Sequence, residues 1–168
     1  MRYVYLLILA NAILAATPLH AAQGTPCTAP EYRQFDFWLG DWSVTNPTGK
    51  AAGRNHVTSE YGGCVLQEHW TGADGSVGSS FNIYDPARQV WHQTWVDNGG
   101  TLLEIEGGLK GGSMVMTGEQ LQADGKKLLN RITWTPKDGK VRQFWETSAD
   151  GGKTWQVSFD GLYAKAHP

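Results

Sequence analysis

Two consecutive runs decide the fold: Ser79-Ser80-Phe81-Asn82-Ile83-Tyr84, closed by Asp85-Pro86, and Val90-Trp91-His92-Gln93-Thr94-Trp95-Val96, closed by Asp97-Asn98-Gly99-Gly100. Both runs are rich in β-branched and aromatic residues, the composition of strands, and in the first Phe81 and Ile83 alternate with Ser80 and Asn82. Asp-Pro starts a turn, and Asn-Gly supplies the positive φ that tight hairpins require. The same punctuation recurs outward in both directions: Asn46-Pro47-Thr48-Gly49, Gly62-Gly63, Ala73-Asp74-Gly75, Gly111-Gly112, Ala123-Asp124-Gly125, Lys137-Asp138-Gly139 and Asp150-Gly151-Gly152. With the two central turns these separate ten segments.

Ten hairpin-linked strands leave two raw sheet edges unless the sheet closes on itself, so the expected fold is all-β, an antiparallel up-and-down barrel of about ten strands. An open meander or a two-sheet sandwich is the alternative. Ahead of the strands only Pro30 to Leu39 has helical character, with Thr28 as a candidate cap and Gly40 as the stop. Residues 1–22 read as a signal peptide: Arg2 gives a positive start, Val4 to Ala16 an apolar stretch too short to span a bilayer, and Ala21 or Ala22 a small residue for cleavage. The remainder, 23–168, reads as one barrel domain without a membrane span, exported to the periplasm or the medium. Export permits a disulfide, and Cys27 and Cys64 are the two cysteines available to form it.

The formal charge of −2 becomes −3 when Arg2 leaves with the leader, which gives no basic footprint for nucleic acid. The side chains point instead to a small organic partner. Alternate residues of a strand share a face, and four strands repeat one pairing: Glu68 with Trp70, Asn82 with Tyr84, Gln93 with Trp95, and Gln143 with Trp145. Asn130 and Trp134 add a fifth, and Trp42 stands at the barrel entrance. If these faces point inward they form a cavity with aromatic walls and a few amide contacts. Phe81 and Ile83 make an equally good inner face, however, and a barrel of this size can be filled by its own side chains. Ligand cavity and packed core both stay open at this level.

Catalytic signatures are sparse. There is no Gly-x-Ser-x-Gly, phosphate-binding loop, dinucleotide fingerprint or His-Glu-x-x-His, so no cofactor is expected. Glu104 and Glu106 alternate with Leu103 and Ile105 as on a solvated outer face. His56, His69 and His92 lie on separate strands without ligand spacing, so no metal is expected either. Glu68 is the one candidate for acid–base work, with Tyr84 or Arg131 to orient an oxyanion.

Phe35-Asp36-Phe37-Trp38-Leu39-Gly40-Asp41-Trp42 ends in Gly-x-Trp at the start of the first strand. This resembles the opening signature of the lipocalins and the wider calycin group, whose barrels hold small ligands. The resemblance implies that Trp42 closes one barrel end, beneath a basic side chain of the last strand, where Lys165 stands. The same block, together with Ser80 to Asp85, Trp91 to Asp97, Arg131 to Trp134 and Arg142 to Glu146, is also similar to a family of exported bacterial proteins of unestablished activity. Ser148-Ala149-Asp150-Gly151-Gly152-Lys153-Thr154-Trp155 looks like the Asp-box hairpin of sialidase propellers. There it is a folding element away from the active site, and a single copy cannot build a propeller.

Overall fold

The computed structural model describes residues 26–166, so the leader read from residues 1–22 lies outside the described residues. Ten antiparallel strands form a closed barrel: β1 (Gly40–Thr45), β2 (Ala51–Glu60), β3 (Val65–Gly72), β4 (Val77–Asp85), β5 (Val90–Asp97), β6 (Leu102–Lys110), β7 (Ser113–Leu121), β8 (Lys127–Lys137), β9 (Lys140–Ser148) and β10 (Gln156–Lys165). Every strand pairs with its sequence neighbours, and β1 pairs with β10, Trp42 opposite Lys165 and Val44 opposite Tyr163. Closure removes both raw edges, which is why the meander and the sandwich do not form. Each of the nine turns lies between consecutive strands. Among the described residues no helix is long and apolar enough to cross a membrane.

The segment ahead of β1 is helical as expected, in the form of two short 3-10 turns, Pro30–Arg33 and Asp36–Trp38. Ala29, not Thr28, stands at the cap position. The tighter winding has a packing reason: in a 3-10 turn residues three apart eclipse, and here this brings Phe35 and Trp38 onto one side. Their rings stack at 5.0 Å and both are fully buried. They plug one barrel end, where Phe35 meets Trp91 at 5.7 Å and Trp134 at 5.2 Å.

Gly40 turns the chain from this plug into β1 at φ 123°, a conformation that side chains rarely adopt. The space where its Cβ would stand is taken by the Lys165 ammonium, which donates to the Leu39 carbonyl and lies 3.8 Å from the centre of the Trp42 ring. Trp42 Nε1 in turn donates to the Trp38 carbonyl at 2.8 Å. The last strand, the first strand and the plug are thereby fastened at one corner.

Cys27 and Cys64 form a disulfide that ties the chain ahead of the plug to the β2–β3 turn. The bridge spans 37 residues, and in the chain-entropy account a loop of that length removes about 4 kcal/mol from the denatured ensemble. The double variant Cys27→Ser/Cys64→Ser therefore loses on the order of 4 kcal/mol of unfolding free energy in urea melts, and dithiothreitol destabilises wild type but not the variant.

The β9–β10 hairpin is closed by the turn from Ser148 to Trp155. Asp150 accepts hydrogen bonds from the backbone amides of Thr154 (2.9 Å) and Lys153 (3.0 Å) and from the hydroxyls of Thr154 (2.7 Å) and Ser148 (2.8 Å). The Thr154 amide and these other donors hold its carboxyl down at about 2, against a usual 3.8. The unfolded chain thus takes up this proton first as pH falls, so Asp150 contributes stability above about pH 4 that is lost on the way to about 2. In melts between pH 2 and 5, Asp150→Ala removes this part of the acid sensitivity and lowers Tm at neutral pH.

Candidate functional site

The barrel interior falls into three levels. At the closed end Phe35, Trp38, Trp42, Trp91, Trp134 and Met114 form a packed, largely aromatic floor. At mid-height the wall is two-sided. Strands β2 to β5 contribute most of the buried polar residues, Asn55, Glu68, Ser80, Asn82 and Gln93, whereas β6 to β8 contribute mainly Leu103, Ile105, Met116 and Ile132, with Asn130 on β8 as the polar exception. Toward the other end Trp70, Trp95, Trp145 and Phe159 are only partly buried and surround a cavity of about 530 Å³ that opens to solvent. Packed core and cavity therefore each occupy one half of the same barrel.

Strand parity resolves in favour of the amide–aromatic faces. Asn82 is fully buried while Phe81 and Ile83 are exposed outside, at 47% and 40%. All five pairings point inward, but they serve different levels. Glu68, Trp70, Gln93, Trp95, Gln143 and Trp145 line the cavity. Asn82 and Asn130 lie behind its surface: Asn82 Oδ1 accepts from Gln93 Nε2 at 2.7 Å, and Asn130 Oδ1 accepts from Trp145 Nε1 at 2.9 Å. Trp42, Trp134 and Tyr84 belong to the closed end. Trp42 is thus at the sealed end rather than the entrance, because the plug and Lys165 cover it. Tyr84 packs on Tyr32 at 5.4 Å and on Trp91 at 6.2 Å.

Sequence reasoning missed Tyr163, Ser80, Asn55, Phe159, Leu103 and Ile132. Ser80 was within reach, since it continues the Asn82 and Tyr84 row at i−2. Phe159 and Tyr163 were not, because a bulge between Val157 and Phe159 shifts the register of β10.

Glu68 is the chemical centre. It is 4% exposed, its Oε1 accepts from Asn55 Nδ2 at 2.8 Å, and its Oε2 accepts from Ser80 Oγ at 2.6 Å. Behind Ser80 the donors are aligned, Asn82 Nδ2 giving to Ser80 Oγ at 3.0 Å and Gln93 Nε2 to Asn82 Oδ1. Such a chain polarises toward the carboxylate and favours its charge. Burial outweighs it: desolvation pushes the Glu68 carboxyl up to about 7, against the hydrogen bonds from Ser80 and Asn55. Tyr163, also buried, donates to Gln143 Oε1, and burial together with the nearby Glu68 carboxylate holds its hydroxyl well above the usual range. Arg131 cannot orient anything here. It lies on the outer face, 3.0 Å from Glu146 and stacked over Trp155 at 4.0 Å.

The mouth aromatics are held by their edges. Trp70 Nε1 donates to Ser76 Oγ at 3.2 Å and Trp95 Nε1 to Asp97 Oδ2 at 3.1 Å. Their six-membered rings press on glycine, where a Cβ on Gly53 would stand 2.7 Å from Trp70 and one on Gly78 2.3 Å from Trp95. Both glycines are needed for the close approach of a ring, not for turning.

On the outer face His56 pairs with Asp41 at 2.6 Å, and His92 and Arg88 both meet Glu106, at 3.0 and 2.8 Å. Among the described residues no cluster of three or more His, Cys, Asp or Glu is arranged to hold a metal. Comparison with known proteins finds no family model that matches the chain and no matching curated protein, so its functional reading rests on the geometry of the cavity.

Proposed function

We propose that the protein is an exported binding barrel that takes up a small organic molecule, with an apolar or aromatic body and a polar head, through its open end. The cavity carries this reading. It is sealed below by a packed aromatic floor, walled above by Trp70, Trp95, Trp145 and Phe159, and furnished with Glu68, Gln93 and Gln143. A volume near 530 Å³ falls within the range of small-molecule sites. The two-sided wall suits a ligand that turns its head to β3 and β5 and its body to Leu103 and Ile132. The Lys165 ammonium over Trp42 supports the calycin-like resemblance, and the disulfide supports export. Native mass spectrometry of protein purified from its own host is expected to show a stoichiometric bound mass. An empty protein whose tryptophan fluorescence ignores a broad metabolite panel refutes the reading.

One observation favours acid–base chemistry as a second reading. A carboxyl held near 7 beside a neutral phenol can exchange protons at physiological pH. For that reading Glu68→Gln abolishes turnover of the bound molecule while preserving its binding; unchanged turnover removes Glu68 from the role.

A further inference from the structure

We infer that the cavity selects an organic cation, an amine carried on a small apolar or aromatic body, with its head beside Glu68; the inference rests on the ligand-binding reading above. Charge is the first support. The ionisable side chains around the cavity include three acids, Glu68, Asp74 and Asp97, against one base, Lys50. Lys50 and Asp74 are both exposed at the rim, where solvent and salt screen them, whereas Glu68 is enclosed, its field is not screened in this way, and it sets the charge of the interior.

The hydrogen-bond donors give the second support. An anionic head needs N–H or O–H groups, and the three indole N–H groups and the Tyr163 hydroxyl of the cavity wall are committed, Trp70 to Ser76, Trp95 to Asp97, Trp145 to Asn130 and Tyr163 to Gln143, as is the Ser80 hydroxyl to Glu68; the Gln143 amide N–H remains as a neutral donor. Acceptor capacity remains, because an ionised carboxylate offers about four lone-pair positions and Asn55 and Ser80 occupy two at Glu68. With their N–H edges engaged, the three indoles offer a ligand π surface, which attracts a cation and not an anion.

The inference also carries a pH signature. Tyr163 is held above its usual range by burial and by Glu68, and Asp74 is held below its own by the Ser76 amide and hydroxyl. At Asp97 burial works upward, but the hydrogen bonds from Thr101, Trp95 and Gly99 leave it low. Between pH 6 and 8, Glu68 is therefore the acid of the cavity that changes charge, and an ammonium binds best when it is ionised.

Phenethylamine, phenethyl alcohol and 3-phenylpropionate share a ring and differ in the charge of the head. Titrated into the mature protein at pH 8, with tryptophan fluorescence and calorimetry as readouts, the amine is expected to bind about tenfold or more tighter than the alcohol, and the carboxylate weakest. Its affinity falls about tenfold between pH 8 and pH 6, as the Glu68 carboxylate is protonated, while that of the alcohol stays level. Glu68→Gln erases the preference of the amine over the alcohol together with its pH dependence. Equal or tighter binding of the alcohol or the carboxylate overturns the inference and leaves the cavity reading standing. So does a pH-independent amine affinity, or a co-purified molecule without a basic nitrogen. A protein that carries no molecule and ignores all three probes overturns the cation inference and the binding reading together.

Discussion

Glu68→Gln is expected to unfold at higher urea concentration than wild type at pH 8, and the two proteins become equal near pH 4.5. The unfolded chain releases the Glu68 proton at its usual 4.5, whereas the folded chain releases it at about 7. Across that window the folded state holds a proton that the unfolded state has lost, so unfolding free energy declines as pH rises, by about 1.4 kcal/mol per pH unit. The contribution is whole below pH 4.5 and gone above about 7, a total on the order of 3 kcal/mol. Glutamine has the same shape and never ionises, which makes the difference between the two curves specific to this residue. Its amide also has somewhere to donate. Among the described residues Asn55 Oδ1 is a buried acceptor without a hydrogen bond, and rotation of the Asn55 amide turns that oxygen toward a donor at position 68. Ser80 keeps its acceptor on the remaining oxygen. If the two proteins keep a constant stability difference from pH 4.5 to 8, Glu68 ionises as an ordinary surface carboxylate and the enclosed floor of the cavity is wrongly described.

The barrel was legible in the sequence because it is written in local chemistry. Each hairpin turn is specified by the residues within it, and Asp97-Asn98-Gly99-Gly100 forms its turn whatever lies across the barrel: Asp97 Oδ1 accepts from the amides of Gly99 (2.9 Å) and Thr101 (3.0 Å). Parity within a strand is equally local, so the pairs Gln93 with Trp95 and Gln143 with Trp145 reached the cavity together. What the sequence left open is height along the barrel. Trp95 and Trp134 look alike as inward tryptophans, yet one lines the mouth and the other lies in the floor, because strand direction and tilt decide which end a given position reaches. The β10 bulge hid Phe159 and Tyr163 for a related reason, since a single extra residue changes the face of everything beyond it. Glu68 shows the same limit in energetic form. Its pairing with Trp70 marks its face, but its two donors come from β2 and β4, and only their convergence defines the site.

Trp38→Ala is expected to cost about 3–5 kcal/mol in urea melts, among the largest losses available from a single side chain in this protein. The residue is fully buried between the Phe35 ring at 5.0 Å, the Trp134 ring at 5.4 Å and the Tyr163 ring at 6.4 Å. Removing the indole leaves a cavity under the barrel floor, and the rigid closed sheet around it cannot collapse to fill the space. Trp38→Phe separates packing from polarity. Among the described residues the Trp38 indole N–H is buried without an acceptor, so phenylalanine loses some contact area but also removes an unsatisfied donor, and the net cost falls to about 1 kcal/mol or less. Trp95→Ala, at the mouth, runs the other way. That ring is only partly buried and borders open volume, so its loss creates little new cavity and costs about 1 kcal/mol, while ligand uptake is lost with the wall. The floor and the mouth are thus separable by two substitutions of the same residue type, one read in stability and the other in binding. A small stability loss for Trp38→Ala together with a large one for Trp95→Ala would reverse the assignment of sealed and open ends.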